Sequence, residues 1–196
     1  MQISMKGWFN NLSIKVGITF SKLRLSPNQW TLISLIPAIA SAYYISQNLF
    51  IHGAILLIIA GFLDVVDGSV ARVTGRATKF GAYLDTIVDR YVEAIIIIGL
   101  MFATLPVFIV PAYVWIFAYL IGSMMTTYAK AAAKEKLGEE IKGGILERAE
   151  RMFLLFIGLL LGIFNPLYLI YMIALLVVLS NVSALQRIWK AWKKGK

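Results

Sequence analysis

The chain has no cysteine, which excludes a disulfide framework and thiol chemistry. It has one histidine, His52, so a histidine-rich zinc site is excluded and a Ser-His-Asp triad is poorly supported. Acidic residues are scarce, 10 against 19 Lys and Arg in 196 residues. Residues 1–24 lack an apolar core followed by a small-residue cleavage site, so no cleavable signal peptide is expected. What fills the chain is hydrocarbon: 60% of residues are hydrophobic and the mean hydropathy is +0.79. Several apolar runs approach or exceed the ~20 residues that cross a bilayer as a helix. The expected class is all-α, a polytopic integral membrane protein.

The pattern predicts one membrane domain over residues 1–196, with six spans at 28–46, 52–74, 81–103, 108–133, 146–164 and 167–187. An interfacial amphipathic helix over 1–24 precedes them, where Trp8, Phe9, Leu12 and Phe20 alternate with Lys6, Lys15, Lys22 and Arg24. A basic tail over 188–196 follows, with Trp189 and Trp192 as interface residues. In this layout all 19 Lys and Arg fall on one side, and the opposite loops have none. The positive-inside rule then puts both termini in the cytoplasm, at the cell membrane. Contact with membrane lipids accounts for the net charge of +9, and no nucleic-acid partner is needed.

Four of the ten acids sit together in this apolar setting. Asp64 and Asp67 are three apart at the end of the second span, and Asp85 and Asp89 are four apart at the start of the third. Each pair shares a helix face, and the short turn holding Gly75 and Arg76 makes the two helices antiparallel neighbours. Four carboxylates are expected to converge at one depth. Carboxylates near hydrocarbon are costly unless compensated, and a hard divalent cation is the simplest compensation. One or two ions fit, with a diphosphate between the carboxylates. The bland alternative is a set of salt bridges with Arg72, Arg76 and Arg90. Gly68, Ala71 and Gly81 admit close approach of a ligand or of another helix. Asn28 and Thr31 share a face able to bond a nucleotide, although Ser26 or Asn28 could equally serve as a helix cap.

The spacing D-x-x-D-G-x-x-A-R-x8-G-x3-D-x3-D, read at Asp64, Asp67, Gly68, Ala71, Arg72, Gly81, Asp85 and Asp89, resembles the signature of the CDP-alcohol phosphotransferase family. The resemblance covers the whole chain. It implies transfer of a substituted phosphoryl group from a CDP-linked donor to an alcohol, with release of CMP. It implies that Asp64, Asp67 and Asp85 bind Mg²⁺ or Mn²⁺, two ions in all, and that Asp89 is the general base and also touches a metal. It implies a donor site formed by Asn28, Thr31, Asp64, Asp67, Gly68, Ala71, Arg72 and Gly81. A homodimer is implied as well.

The second half resembles the inositol-phosphate-using branch of that family. Lys130, Glu147, Arg148, Glu150, Arg151 and Arg187 match its pattern, while Ala132 and Ala149 stand where that branch has Arg and Pro. Lys134, one turn after Lys130, can replace the missing cation. Lys130, Lys134, Arg148 and Arg187 are therefore expected to hold the acceptor's phosphate, and the expected acceptor is a phosphorylated polyol, inositol phosphate. The expected donor is a CDP-linked lipid, CDP-diacylglycerol or CDP-archaeol. Three rivals stay open: glycerol phosphate as acceptor, CDP-inositol as donor, and a cation-binding transporter. Elsewhere, Glu93 is expected to pair with Arg90, and Gly158 and Gly162 to form a helix contact.

Overall fold

A computed structural model of the chain describes residues 2–141 and 143–195, with side chains from residue 11 onward. The side chains of Lys6, Trp8 and Phe9, together with residues Lys142 and Lys196, lie outside the described residues. The elements are α1 (Gln2–Ser21), α2 (Pro27–Ile33), α3 (Leu35–Ser46), α4 (Phe50–Thr74), α5 (Lys79–Met101), α6 (Ala112–Leu137), α7 (Arg148–Phe164) and α8 (Pro166–Lys194). Among the described residues there is no strand, only an isolated bridge between Phe108 and Val110. The all-helical class is as expected.

Three helices are long and apolar enough to cross a membrane: α4, α6 and α8. The other expected spans fall short for separate physical reasons. The first is divided into α2 and α3 at Ser34, where Pro37 has no N–H to give to the carbonyl of Ile33. The third, α5, carries Lys79, Asp85, Asp89, Arg90 and Glu93 in its 23 residues. The fifth, α7, has only 17 residues. The fourth span starts four residues later than expected because Pro106 and Pro111 hold the preceding segment out of the helix, and it continues to Leu137. The tail from 188 is no separate segment, since α8 runs on to Lys194.

Local chemistry sets the ends. Ser26 and Gln29 form a reciprocal capping box at α2, with Pro27 in the first turn. Gly75, at φ 65°, closes α4 in the left-handed conformation, and Thr78 Oγ1 accepts from the Gly81 N–H at 2.9 Å to open α5. These two devices create the tight α4–α5 turn. Glu147 and Glu150 box the start of α7. On the opposite side, Asn48 Oδ1 accepts from the Thr104 N–H at 2.7 Å, tying the α3–α4 and α5–α6 connections together. His52 lies there, stacked on Tyr44 at 5.2 Å.

The core runs through α3 to α8 and includes Ala38, Ile45, Ala54, Ile96, Ile97, Leu100, Ile116, Leu155, Leu159 and Ile173. A second cluster of Trp30, Val66 and Val70, with Val16 and Phe20, seats α1 on α2 and α4. Glycines permit the closest approaches. Gly158 meets Met172 and Gly162 meets Leu169, so the expected helix contact is between α7 and α8. At Gly99 an added Cβ lies 2.6 Å from the Ala42 carbonyl oxygen, so α5 touches the α3 backbone. Gly99→Ala should therefore lower stability by about 1–3 kcal/mol, as overpacking does. Gly61→Ala, with nothing within 4 Å of the new methyl, should instead leave the unfolding temperature in detergent the same or slightly higher, since alanine favours the helix.

Candidate active site

The end of α4 and the start of α5 bring the carboxylates together. Asp64, Asp85 and Asp89 each place one oxygen within 4.8 Å of the others. Asp67 is not in this group. Three residues advance a helix by ~300°, so Asp67 is rotated by about 60° from Asp64. Its Oδ2 instead accepts from Thr31 Oγ1 at 2.5 Å, and both residues are buried. The expected convergence of four is thus three acids together and a fourth held one turn on. An all-oxygen donor set of this density fits a hard divalent cation.

The counter-charge present is Arg148, at the first position of α7. Its Nη1 lies 2.5 Å from Asp89 Oδ1 and 3.1 Å from Asp64 Oδ1. Arg72, Arg76 and Arg90 make no ion pair with the four aspartates among the described residues, so the salt-bridge alternative does not hold in the form expected.

Two cavities flank the acids. The first, of 210 Å³, is lined by Asn28, Thr31, Asp67, Gly68, Ala71, Arg72, Gly81 and Asp85. It thus gathers all the expected donor residues except Asp64, which lies in the acid cluster beside it. A Cβ on Gly81 would come within 3.1 Å of Asn28 Oδ1, so glycine keeps the wall open. Ser26 is the cap, which leaves Asn28 facing the cavity.

The second cavity, of 370 Å³, is lined by Lys130, Lys134, Arg148 and Arg187, with Thr86, Arg90, Thr127, Glu147 and Arg151. All four expected acceptor cations meet there. Glu147 is the only acid on that wall. Nε of Arg90, Arg148 and Arg187 are buried without a protein partner. A cavity lined by six Lys and Arg side chains against one acid suits an anionic ligand. Arg187 is held by its Nη1 donating to the Thr126 carbonyl at 2.7 Å, and Lys134 pairs with Glu140 at 3.2 Å.

One network behind this cavity has no functional counterpart in the sequence reading. Glu93 is fully buried and accepts from Arg151 Nε at 2.7 Å, from Arg151 Nη2 at 3.0 Å and from Arg90 Nη1 at 2.7 Å. Arg151 also donates to Thr126, and Arg90 to Thr127. Expecting the Arg90–Glu93 pair was correct, but the larger partner is Arg151 on α7. Its signal was available: Glu93 is one turn beyond Asp89, and Arg151 one turn beyond Arg148. The network therefore clamps α5 to α7 directly behind the Asp89–Arg148 contact.

Residues 24–183 match the family model for CDP-alcohol phosphatidyltransferase. The chain belongs to this family. It is an enzyme, a transferase of phospholipid synthesis. It is 38% identical over 144 residues to an archaetidylinositol phosphate synthase of Pyrococcus horikoshii, covering 73% of each chain. It is 35% identical over 173 residues to a bifunctional IPC transferase and DIPP synthase of Aquifex aeolicus, covering 82% of this chain and 39% of that one. The fold superposes on the Mycobacterium tuberculosis phosphatidylinositol phosphate synthase crystallised with CDP-DAG, at TM-score 0.81 and 26% identity, covering 93% of this chain and 94% of that one. The same enzyme has been crystallised with manganese and citrate, and that structure also matches at TM-score 0.81 and 26% identity, covering 92% of this chain and 88% of that one.

Glu93→Gln should leave the buried Arg151 and the half-buried Arg90 with one neutral partner. The expected loss is ~3–5 kcal/mol, the cost of breaking a buried ion pair from one side. Thermal unfolding of the purified protein in detergent checks it.

Proposed function

We propose that this transferase moves a lipid phosphoryl group from a CDP-linked lipid, CDP-diacylglycerol or CDP-archaeol, to a hydroxyl of inositol phosphate, releasing CMP. The observation that carries the reading is the arrangement of the two cavities. A cavity lined by Asp67, Asp85 and the signature glycines lies on one side of the acid cluster and a cavity rich in cations on the other, and Arg148 reaches from the second into the acids. A neutral alcohol does not require such a ring of cations, whereas an acceptor bearing a phosphate does. The names of the Pyrococcus and Mycobacterium relatives support the same acceptor class.

Asp64, Asp67, Asp85 and Asp89 are the residues to hold two divalent ions, Mg²⁺ or Mn²⁺, which when bound neutralise the diphosphate and the departing CMP. Asn28, Thr31, Gly68, Ala71, Arg72 and Gly81 seat the donor. Lys130, Lys134, Arg148 and Arg187 hold the acceptor phosphate and so aim its hydroxyl at the donor phosphorus. Asp89 takes the hydroxyl proton as the new P–O bond forms, and the bond from the same phosphorus to CMP breaks. Arg148 sits 2.5 Å from Asp89, so one side chain ties acceptor binding to the base.

We further propose six membrane crossings, with α2–α3, α5 and α7 completing the three apolar spans and their charged ends at the cytoplasmic interface. Both termini and the site then face the cytoplasm, α1 lies in the interface, and residues 1–196 form one domain. The family resemblance supports a homodimer.

Purified protein with Mg²⁺ and a CDP-lipid should release CMP with inositol phosphate, and not with glycerol phosphate, serine or no acceptor. Release with glycerol phosphate alone would overturn the acceptor assignment, and release only from CDP-inositol would overturn the donor. Asp89→Asn should lower turnover by roughly 10²–10⁴-fold, the usual worth of a general base. Near-normal turnover in that variant would remove Asp89 from this role.

A further inference from the structure

Helix α1 reads from sequence as an interfacial helix, yet its second half docks on α4, whose Arg72 lines the donor cavity. Gly17 faces α4 so closely that an added Cβ would lie 2.6 Å from the Ser69 carbonyl oxygen and 2.6 Å from Val73 Cγ2. Phe20 packs edge-on against Trp30 at 5.4 Å and against Phe62 at 5.6 Å, fixing the same half of α1 from the other side. This close seating brings Ser13 onto α4 one turn from the signature arginine.

The hydrogen bonds there have a definite direction. Arg72 Nη2 lies 2.8 Å from Ser13 Oγ, and Ser13 Oγ lies 2.8 Å from Ser69 Oγ. Ser69 Oγ in turn donates to the Val65 carbonyl at 2.7 Å. A hydroxyl has one proton, and that of Ser69 is committed to Val65. Ser13 must therefore donate to Ser69 and accept from Arg72. Such a chain polarises each hydroxyl in the same sense and makes Ser13 a better acceptor for the guanidinium. Among the described residues, Arg72 without Ser13 keeps a longer bond to Ser69 at 3.3 Å. Arg72 is exposed and pairs with none of the four aspartates, so nothing on their side fixes its long side chain.

We propose that Ser13 of α1 is a positioning residue for the donor, holding the Arg72 guanidinium in place against the first cavity through the Arg72–Ser13–Ser69 chain. This rests on reading that cavity as the nucleotide site. The helix expected only to rest on the membrane surface then also orders a side chain of the active site.

The test is a titration of CDP into the purified full-length protein with Mg²⁺, by calorimetry. Ser13→Ala should weaken CDP binding roughly fivefold, the size of a lost charge-assisted hydrogen bond at an exposed site. Ser13→Thr, which keeps the hydroxyl, should bind as wild type. The double variant Ser13→Ala/Arg72→Ala should bind no worse than Arg72→Ala alone, because Ser13 acts through Arg72. A purely structural role for Ser13 would instead give additive losses and no rescue by threonine. Unchanged binding in Ser13→Ala, or additive losses in the double variant, would overturn the proposal while leaving the donor site intact. A wild-type protein that binds no CDP would overturn the donor-site reading, and this inference with it.

Discussion

Carboxylates crowded at the edge of an apolar bundle must be given a counter-charge, and the rest of the structure follows from how that is met. Asp64, Asp85 and Asp89 come within 4.8 Å of one another. A protein charge supplies part of the compensation: Arg148, delivered by the first turn of α7. For that to happen α4, α5 and α7 must meet at one level, which the tight Gly75–Thr78 turn and the buried Glu93–Arg151 pair enforce. The ion pair one turn deeper is costly to build in hydrocarbon, and its value lies in fixing geometry more than in stability. Remove it and the two helices that carry Asp89 and Arg148 lose their common reference.

Charge is also sorted across this level. The first cavity pairs acids and small residues with two long cations, Arg72 and Arg76. The second is lined by six cations, Arg90, Lys130, Lys134, Arg148, Arg151 and Arg187, against the single acid Glu147. A reaction that joins two phosphate-bearing molecules suits this asymmetry. In the proposed reading one side takes a diphosphate through ions and short walls, and the other takes a phosphate through arginines. Arg148 lines the second cavity and pairs with Asp64 and Asp89, so an anion in that cavity acts on the charge of the acid cluster.

Much of the site was legible in the chain because its chemistry is written in fixed helical spacing. Asp64 and Asp67, or Asp85 and Asp89, must share a face wherever a helix forms, and Gly75 marks where the chain turns back. The cations of the second cavity were legible through the resemblance to the inositol-phosphate-using branch, whose pattern Lys130, Arg148 and Arg187 match. What could not be read was which side chain meets which across helices. Asp67 turning to Thr31, Arg148 in place of Arg90 beside the acids, and Glu93 gripping Arg151 all depend on helix rotation, which spacing along one strand of sequence does not define. The division of the first span at Ser34 was visible in Pro37 but overridden by hydropathy. The reach of α1 to Arg72 was hidden because a serine among apolar and basic residues looks like surface.

The central claim is that the acid cluster is a metal site shared between two substrate cavities. Crystals of the protein grown with Mn²⁺ and inositol phosphate, measured at the manganese absorption edge, test it directly. The account predicts anomalous peaks within coordination distance, about 2–2.5 Å, of oxygens of Asp64, Asp67, Asp85 and Asp89, with the phosphate against Arg148 and Arg187. Manganese elsewhere, or phosphate outside the cationic cavity while the acids stay paired only to Arg148, would contradict it.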